Sequence, residues 1–231
     1  YGFIDATTAA YIAMVIDNVG LLTIPVDVAM KRETGMLHRL RATPLRSSTF
    51  ILADVLTYII VLLLGTLIMC AVAVFGFGAQ FYGNWGLLFL AFLLTTFAMY
   101  AMGYLLAAIA PSVQVANVFG FIVGFILMFL SGATIPMEVL PPAVQNISRF
   151  IPLTYGVRLL KASWLQGSWE GQGLSVGVLL GVALICSALA CLLYTSDAAD
   201  DLLCVDLGGR RVIKKKNISV ETRHYDTHKH V

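Results

Sequence analysis

The sequence carries very little charge for its length. Of 231 residues, 12% are Asp, Glu, Lys or Arg and 59% are hydrophobic, whereas a soluble domain carries about 25% charged residues. This scarcity excludes a soluble globular domain and predicts an integral membrane protein. The formal net charge of +2 is uninformative, because the charged residues are unevenly placed along the chain.

Cysteine and histidine are also scarce. The four cysteines indicate no disulfide framework, since Cys70 and Cys186 lie inside apolar runs. His38 is the only histidine before residue 190, so we predict no catalytic residue and no metal site. A membrane-embedded hydrolase would need a nucleophile–base pair or metal ligands within the bilayer, and is therefore disfavoured.

Two other features are missing. The phosphate-binding motif G-x-x-x-x-G-K-[ST] does not occur in the chain, so any ATP-driven work must come from a partner. The chain begins with Tyr1, and no basic segment precedes a short apolar core. This start argues against a signal peptide, and we expect that an N-terminal part is absent.

Five apolar runs are long enough to cross a ~30 Å hydrocarbon core as helices. We therefore predict an all-α polytopic membrane protein whose transmembrane domain covers residues 1–190. The five predicted transmembrane helices are Thr7 to Met30, Phe50 to Phe75, Leu87 to Ala110, Val113 to Leu130 and Leu174 to Leu193.

The first of these runs is unusually polar. Asp17 and Asn18 fall near its middle, where a carboxylate costs about 2.5–3.5 kcal/mol. This helix should therefore face other helices or water. We predict that the two residues line a substrate path or a dimer seam; the alternative is a polar pair satisfied inside the helix bundle.

Small residues at a spacing of four recur in two later runs. Gly120 and Gly124 form one such pair, and Gly177 and Gly181 form the other. This spacing allows membrane helices to approach closely. We assign Gly120 and Gly124 to the same candidate path or seam.

The densest charge before residue 190 lies in residues 31–46, KRETGMLHRLRATPLR. One carboxylate, Glu33, stands against five basic residues: Lys31, Arg32, Arg39, Arg41 and Arg46. By the positive-inside rule this basic segment faces the cytoplasm. Its apolar residues recur at helical spacing, which predicts a short amphipathic helix at the inner membrane surface.

Charged residues outside the basic segment allow two interpretations each. Asp27 and Asp54 lie near the inner interface, and we expect them to be solvated or paired with the arginines of the basic segment. Glu138, Arg149 and Arg158 could hold an outer hairpin in place or gate exit, or they could be plain solvated charges.

Residues 131–173 resemble neither a soluble loop nor a membrane helix. The segment is too apolar to be freely solvated, and glycine and proline interrupt it too often for it to span. We predict a re-entrant or surface-lying hairpin on the outer side. The residues that define it are Gly132, Pro136, Pro141 and Pro152.

Two motifs carry a resemblance to a known family. Glu33–Leu40, followed by Ala42–Leu45, resembles the cytoplasmic motif E-x-G-T-L-E-x-L-x-x-T-P-L of ABC-2 type transporter permeases, with departures at Met36 and His38. The outer segment, with Ser131-Gly132, Leu140-Pro141 and Ile151–Tyr155, resembles the re-entrant segment of the same family. The family's first helix is absent, so the five spans would correspond to its second to sixth.

The resemblance implies an exporter in the plasma or inner membrane, built from two permease subunits as a homo- or heterodimer. Each would be served by an ABC ATPase that holds ATP and Mg, while this chain binds no cofactor and no nucleic acid. The cargo would be hydrophobic or amphipathic, such as a drug, lipid or peptide. The alternative is a non-transporting scaffold or a channel subunit. The basic segment would be the coupling helix, with coupling residues Glu33, Gly35, Arg39, Leu40, Thr43 and Pro44.

The character of the chain changes at about residue 191. CLLYTSDAAD and LLCVDLGGRRVIKKKN resemble the conceptual translation of a transposase-type sequencing adapter. The alternative is a real acidic-then-basic cytoplasmic tail. We expect residues 191–231 to be a non-native, disordered tail, so the histidines at 224, 228 and 230 are not interpreted as a metal site.

Overall fold

The computed structural model describes residues 3–34, 47–135 and 137–193. The chain divides into two compact units, Tyr1–Ala190 and Cys191–Val231, and only Cys191–Leu193 of the second are described. All regular elements of the described residues are helical. The α-helices are α1 Phe3–Asp17, α2 Ile24–Glu33, α3 Ser47–Phe77, α4 Trp85–Ile109, α5 Val113–Leu130, α6 Pro142–Ser148, α7 Pro152–Leu165 and α8 Gly173–Leu193.

Five helical stretches are long and apolar enough to cross a membrane. They are Ile4–Glu33, Ala53–Phe77, Trp85–Ile109, Val113–Leu130 and Gly173–Leu193. The predicted all-α polytopic fold with five spans is therefore confirmed. The segment 191–231 and the segment 35–46 lie outside the described residues, apart from the end of α8, so the expectations placed on them stay predictions.

The first span contains a wide turn. α1 passes without a break into a π-helix over Asn18–Thr23, and this passes into α2 at Ile24. A π-helix closes hydrogen bonds to the fifth residue back instead of the fourth. The carbonyl oxygens of this π-helix lie against glycines of α4 and α5.

The short helix α7 lies at the centre of the bundle. It packs mainly against α1 and α4, and Leu153, Leu159 and Trp164 are fully buried. A Cβ on Gly156 would meet Thr95, midway along α4, and Ser163 Oγ lies 3.4 Å from the carbonyl of Leu87 near the start of α4. α7 therefore runs antiparallel to the first half of α4. The re-entrant or surface-lying hairpin predicted for the outer segment stays a prediction.

Apolar side chains cover the outside of the bundle. The exposed face of α5 carries a row of rings in which Phe121 and Phe125 stack at 5.3 Å and Phe125 and Phe129 lie 4.7 Å apart. α3 and α8 expose leucine and isoleucine along most of their length. Such a surface is stable against lipid or a second apolar surface rather than water.

Candidate coupling site at the basic end of the bundle

The site is built at the end of the bundle where α2 ends, α3 begins and α4 turns into α5. We call this the basic end, because α2 leads there into the basic segment. Each of the last three residues of α2 contacts a different part of the chain.

Lys31 joins two carboxylates from different helices. Its Nζ forms an ion pair with Asp27 one turn earlier in α2, and lies 2.5 Å from Oδ1 of Asp54 in α3. It also lies 5.8 Å from the ring centroid of Tyr58, and Tyr104 donates to Oδ2 of Asp54 at 3.5 Å. One cation is thus shared between two partly buried anions, so each charge stabilises the other in a place of low solvent access.

Arg32 and Glu33 hold the turn between α4 and α5. Arg32 donates a hydrogen bond to the carbonyl of Ala110, which follows the last residue of α4. The backbone amide of Val113, the first residue of α5, donates to Oε1 of Glu33 at 2.7 Å. The first amides of a helix have no partner within the helix and favour a nearby anion. Ser112 completes the cap by accepting from Val115 at 3.3 Å.

Of the six residues predicted for coupling, Glu33 alone is among the described residues. The positions 35, 39, 40, 43 and 44 fall in the part of the chain between α2 and α3 that the structure does not describe. Thr34 ends α2, donating from its hydroxyl to the carbonyl of Met30 at 2.8 Å. The carboxylates predicted near the inner interface, Asp27 and Asp54, both pair with Lys31. Their expected pairing with arginines of the basic segment stays a prediction, because Arg39, Arg41 and Arg46 lie outside the described residues.

Asp17 and Asn18, the two polar residues predicted near the middle of the first span, differ in exposure to solvent or lipid. Asp17 is 1% exposed, and its Oδ2 would lie 3.6 Å from a Cβ on Gly124. Its Oδ1 has no hydrogen-bond partner among the described residues. Asn18 is exposed and donates to the carbonyl of Met14 at 2.9 Å. Only Asp17 therefore lies within the interior of the bundle.

Glycines on α4 and α5 accommodate the π-helix. A Cβ on Gly103 would lie 2.0 Å from the carbonyl oxygen of Gly20, and one on Gly120 would lie 2.4 Å from that of Leu21. No side chain of any size fits at these distances. Gly120 and Gly124 thus lie together against the first span, beside Leu21 and Asp17. Gly177 and Gly181, by contrast, have no atom of the described residues within 4 Å of a built Cβ.

The outer segment places its predicted residues at turns. Gly132 follows α5 with a φ of +79°, a backbone conformation that disfavours residues with a Cβ. Pro141 precedes α6, and Pro152 is the first residue of α7, where its missing amide costs nothing. Pro136 lies outside the described residues. Arg158 is exposed on α7, 5.7 Å from the ring of Tyr155.

Sequence reasoning missed two parts of this arrangement. The first is the buried helix α7, whose 14 residues are too few to span. The second is the set of contacts of Lys31, Arg32 and Glu33. The signal that could have found these is the presence of both cations and an anion, Lys–Arg–Glu, at the end of one helix. Later helix ends in the chain leave carbonyls and amides without a partner within their own helix.

The fold and the site together define a polytopic helical membrane protein with a basic connection between its first two spans. The family model for "ABC-2 family transporter protein" matches residues 2–192. The chain belongs to the ABC-2 transporter family, as its two motifs predicted.

Curated relatives agree with this family. The chain is 33% identical to Nodulation protein J of Rhizobium leguminosarum bv. viciae over 86 residues, which is 37% of this chain and 33% of that protein. It is 23% identical to the probable multidrug ABC transporter permease YbhR of Escherichia coli (strain K12) over 155 residues, 67% of this chain and 42% of that protein. It is 27% identical to the inner membrane transport permease YhhJ of Escherichia coli (strain K12) over 158 residues, again 67% and 42%. The chain thus spans less than half the length of these relatives.

Proposed function

We propose that this chain is the permease subunit of an ATP-driven exporter that moves a hydrophobic or amphipathic cargo out of the cytoplasm. The observation that carries the proposal is the family match over residues 2–192, together with five membrane-spanning helices in the same region. In this assignment the chain is a transport subunit and catalyses no reaction of its own.

The energy would come from a partner. The chain has no G-x-x-x-x-G-K-[ST] sequence, so ATP and Mg would be bound by an ABC ATPase subunit. That ATPase would rest against the basic segment on the cytoplasmic side. The residues we propose for this coupling are Glu33, Gly35, Arg39, Leu40, Thr43 and Pro44.

The site supports a mechanical role for this end of the molecule. α2 ends at a point where Lys31 forms an ion pair with Asp54 of α3 and Glu33 accepts a hydrogen bond from the first residue of α5. Residues 35–46 are therefore connected at both ends to membrane-spanning helices, α2 and α3. A force applied to the segment would act on these helices directly.

A second permease subunit and the bilayer would cover the apolar exterior. The exposed rings of Phe121, Phe125 and Phe129 and the exposed length of α3 and α8 suit such surroundings. Asp17 would be the interior polar group of the transport path, while Asn18 on the outside would face the partner or lipid. Gly120 and Gly124 would bring α5 close to the first span.

An apolar groove supports the proposed cargo class. It has a volume of about 450 Å³ and lies between α1, α3 and the start of α4. Its walls include Ile12, Leu67, Phe81 and Phe92, which favour an apolar ligand. One relative carries the words "multidrug ABC transporter permease" in its name, which is in keeping with a drug or lipid.

The test is reconstitution of the whole permease with its ABC ATPase in proteoliposomes. We expect ATP hydrolysis to rise when a hydrophobic or amphipathic cargo is added, and the cargo to move from the ATPase side to the other side. Cargo movement without ATP would favour a channel, and ATP hydrolysis that no cargo changes would favour a scaffold. Either of those results would overturn the proposal.

A further inference from the structure

Arg32 and Glu33 form a bracket across the turn between α4 and α5. Arg32 contacts the carbonyl of Ala110 at the end of α4, and Glu33 contacts the amide of Val113 at the start of α5. The turn between them is only Ala110, Pro111 and Ser112. Two adjacent residues of one helix thus hold the facing ends of two others.

The charges of the bracket match the ends that they hold. The last carbonyls of α4 carry the negative end of its dipole, and Arg32 is a cation. The first amides of α5 carry the positive end of its dipole, and Glu33 is an anion. Hydrogen bonds with one charged member are about twice as strong as neutral ones. Exchanging the two charges would place each beside a like charge, so the order Arg–Glu is the one that this turn requires.

The helix held by the bracket is also the one that contacts the interior polar group. α5 packs on α2 and on the π-helix, with Gly120 against Leu21 and Gly124 against Asp17. A displacement of α5 along or around its axis would therefore change the surroundings of Asp17.

We propose that Glu33 and Arg32 are positioning residues that transmit movement of residues 35–46 to α5. Glu33 acts on its own chain and is not a contact of the ATPase. This inference rests on the proposed function, because it assumes that an ATPase moves residues 35–46. It assigns Glu33 a different task from Arg39 in the same segment, although both belong to the motif that resembles the family.

The test compares Glu33→Gln and Glu33→Ala with Arg39→Gln in the complete transporter with its ATPase in proteoliposomes. We measure the affinity of the permease for the ATPase and the amount of cargo moved per ATP hydrolysed. For Glu33→Ala we expect cargo per ATP to fall about fivefold or more, the scale on which loss of one helix cap shifts an equilibrium. Glu33→Gln, which keeps an acceptor oxygen but loses the charge, should lie between Ala and wild type.

The affinity for the ATPase separates a positioning role from a contact. We expect it to stay within about twofold for both Glu33 variants, and to weaken for Arg39→Gln by the loss of a charge pair with the ATPase. Parallel loss of affinity and transport in the Glu33 variants would overturn the inference, as would unchanged cargo per ATP in Glu33→Ala. If that variant does not elute as a folded protein, the comparison of Glu33→Gln with wild type decides by the same two measurements. Absence of ATP-dependent transport by wild type would instead count against the proposed function.

Discussion

Nζ of Lys31 lies 2.5 Å from Oδ1 of Asp54, and this contact ties the end of the first span to the start of the second. The same Nζ pairs with Asp27. The side chains of Lys31, Asp27 and Asp54 retain 18%, 28% and 15% of their exposure. The cluster is therefore neither fully buried nor a surface pair, and removing its cation leaves two carboxylates close together.

Replacing Lys31 with Met should lower the free energy of unfolding. We expect a loss of about 1–3 kcal/mol, less than the ~3–5 kcal/mol that breaking a fully buried pair costs, because water still reaches all three groups. Thermal unfolding in detergent measures the effect. Lys31→Arg is the control, and adding Asp54→Asn to Lys31→Met should restore part of the loss. A destabilisation unchanged by that second substitution would contradict the pairing.

Alanine at Gly103 or Gly120 should destabilise the bundle. The added Cβ would lie 2.0 Å from the carbonyl of Gly20 or 2.4 Å from that of Leu21, so the helices must separate. We expect a loss of about 1–3 kcal/mol in the free energy of unfolding. Gly177→Ala and Gly181→Ala are matched controls, since no atom of the described residues lies within 4 Å of a Cβ there; they should be neutral or slightly stabilising, because alanine is the better helix former. Equal effects at all four positions would rule out the close approach.

Trp164 should contribute far more to stability than Trp85. Trp164 is fully buried in α7, donates from Nε1 to the carbonyl of Gln80 at 3.2 Å, and meets the ring of Phe81 edge-on at 5.1 Å. Trp85 stacks on the same ring but is 65% exposed. We expect Trp164→Ala to cost about 3–5 kcal/mol and Trp85→Ala under about 1 kcal/mol, measured by thermal unfolding.

Asp17→Asn separates a functional role from a structural one. Asn has nearly the same shape, and it removes a buried carboxylate whose Oδ1 has no hydrogen-bond partner among the described residues. The variant should be as stable as wild type or up to about 1 kcal/mol more stable, since burial of a polar group that lacks a hydrogen-bond partner is costly. If Asp17 lies on the transport path, cargo movement in proteoliposomes should fall nonetheless. A clear loss of stability would instead assign Asp17 to the structure of the bundle.

The spans could be predicted from the sequence because each is fixed by local properties. A membrane crossing needs a certain length of apolar helix whatever its neighbours are. Val113–Leu130 has the bounds that were predicted, since Pro111 precedes it and Ser112 caps it. The identity of the family also followed from short motifs.

The packing between spans could not be predicted in the same way. α7 contains Arg158 and Lys161 and has the length of a surface helix, yet α1 and α4 bury it. The π-helix has no local signal, since its carbonyls are placed by glycines 80 to 100 residues away in the chain, at Gly103 and Gly120. The pairing of Asp27 and Asp54 with Lys31 could not be predicted for the same reason: complementary charge predicts that a pair forms, but not which cation is nearest.

The π-helix divides the first span into two halves that pack mainly against different helices. Before the π-helix in the chain, α1 packs mainly on α7; after it, α2 packs mainly on α5 and α4. The π-helix Asn18–Thr23 therefore sets the rotation of α2 relative to α1 about the axis of the span. Deleting one residue there would bring the span back towards ordinary α-geometry and swing the Lys–Arg–Glu end of α2 away from the turn that it holds.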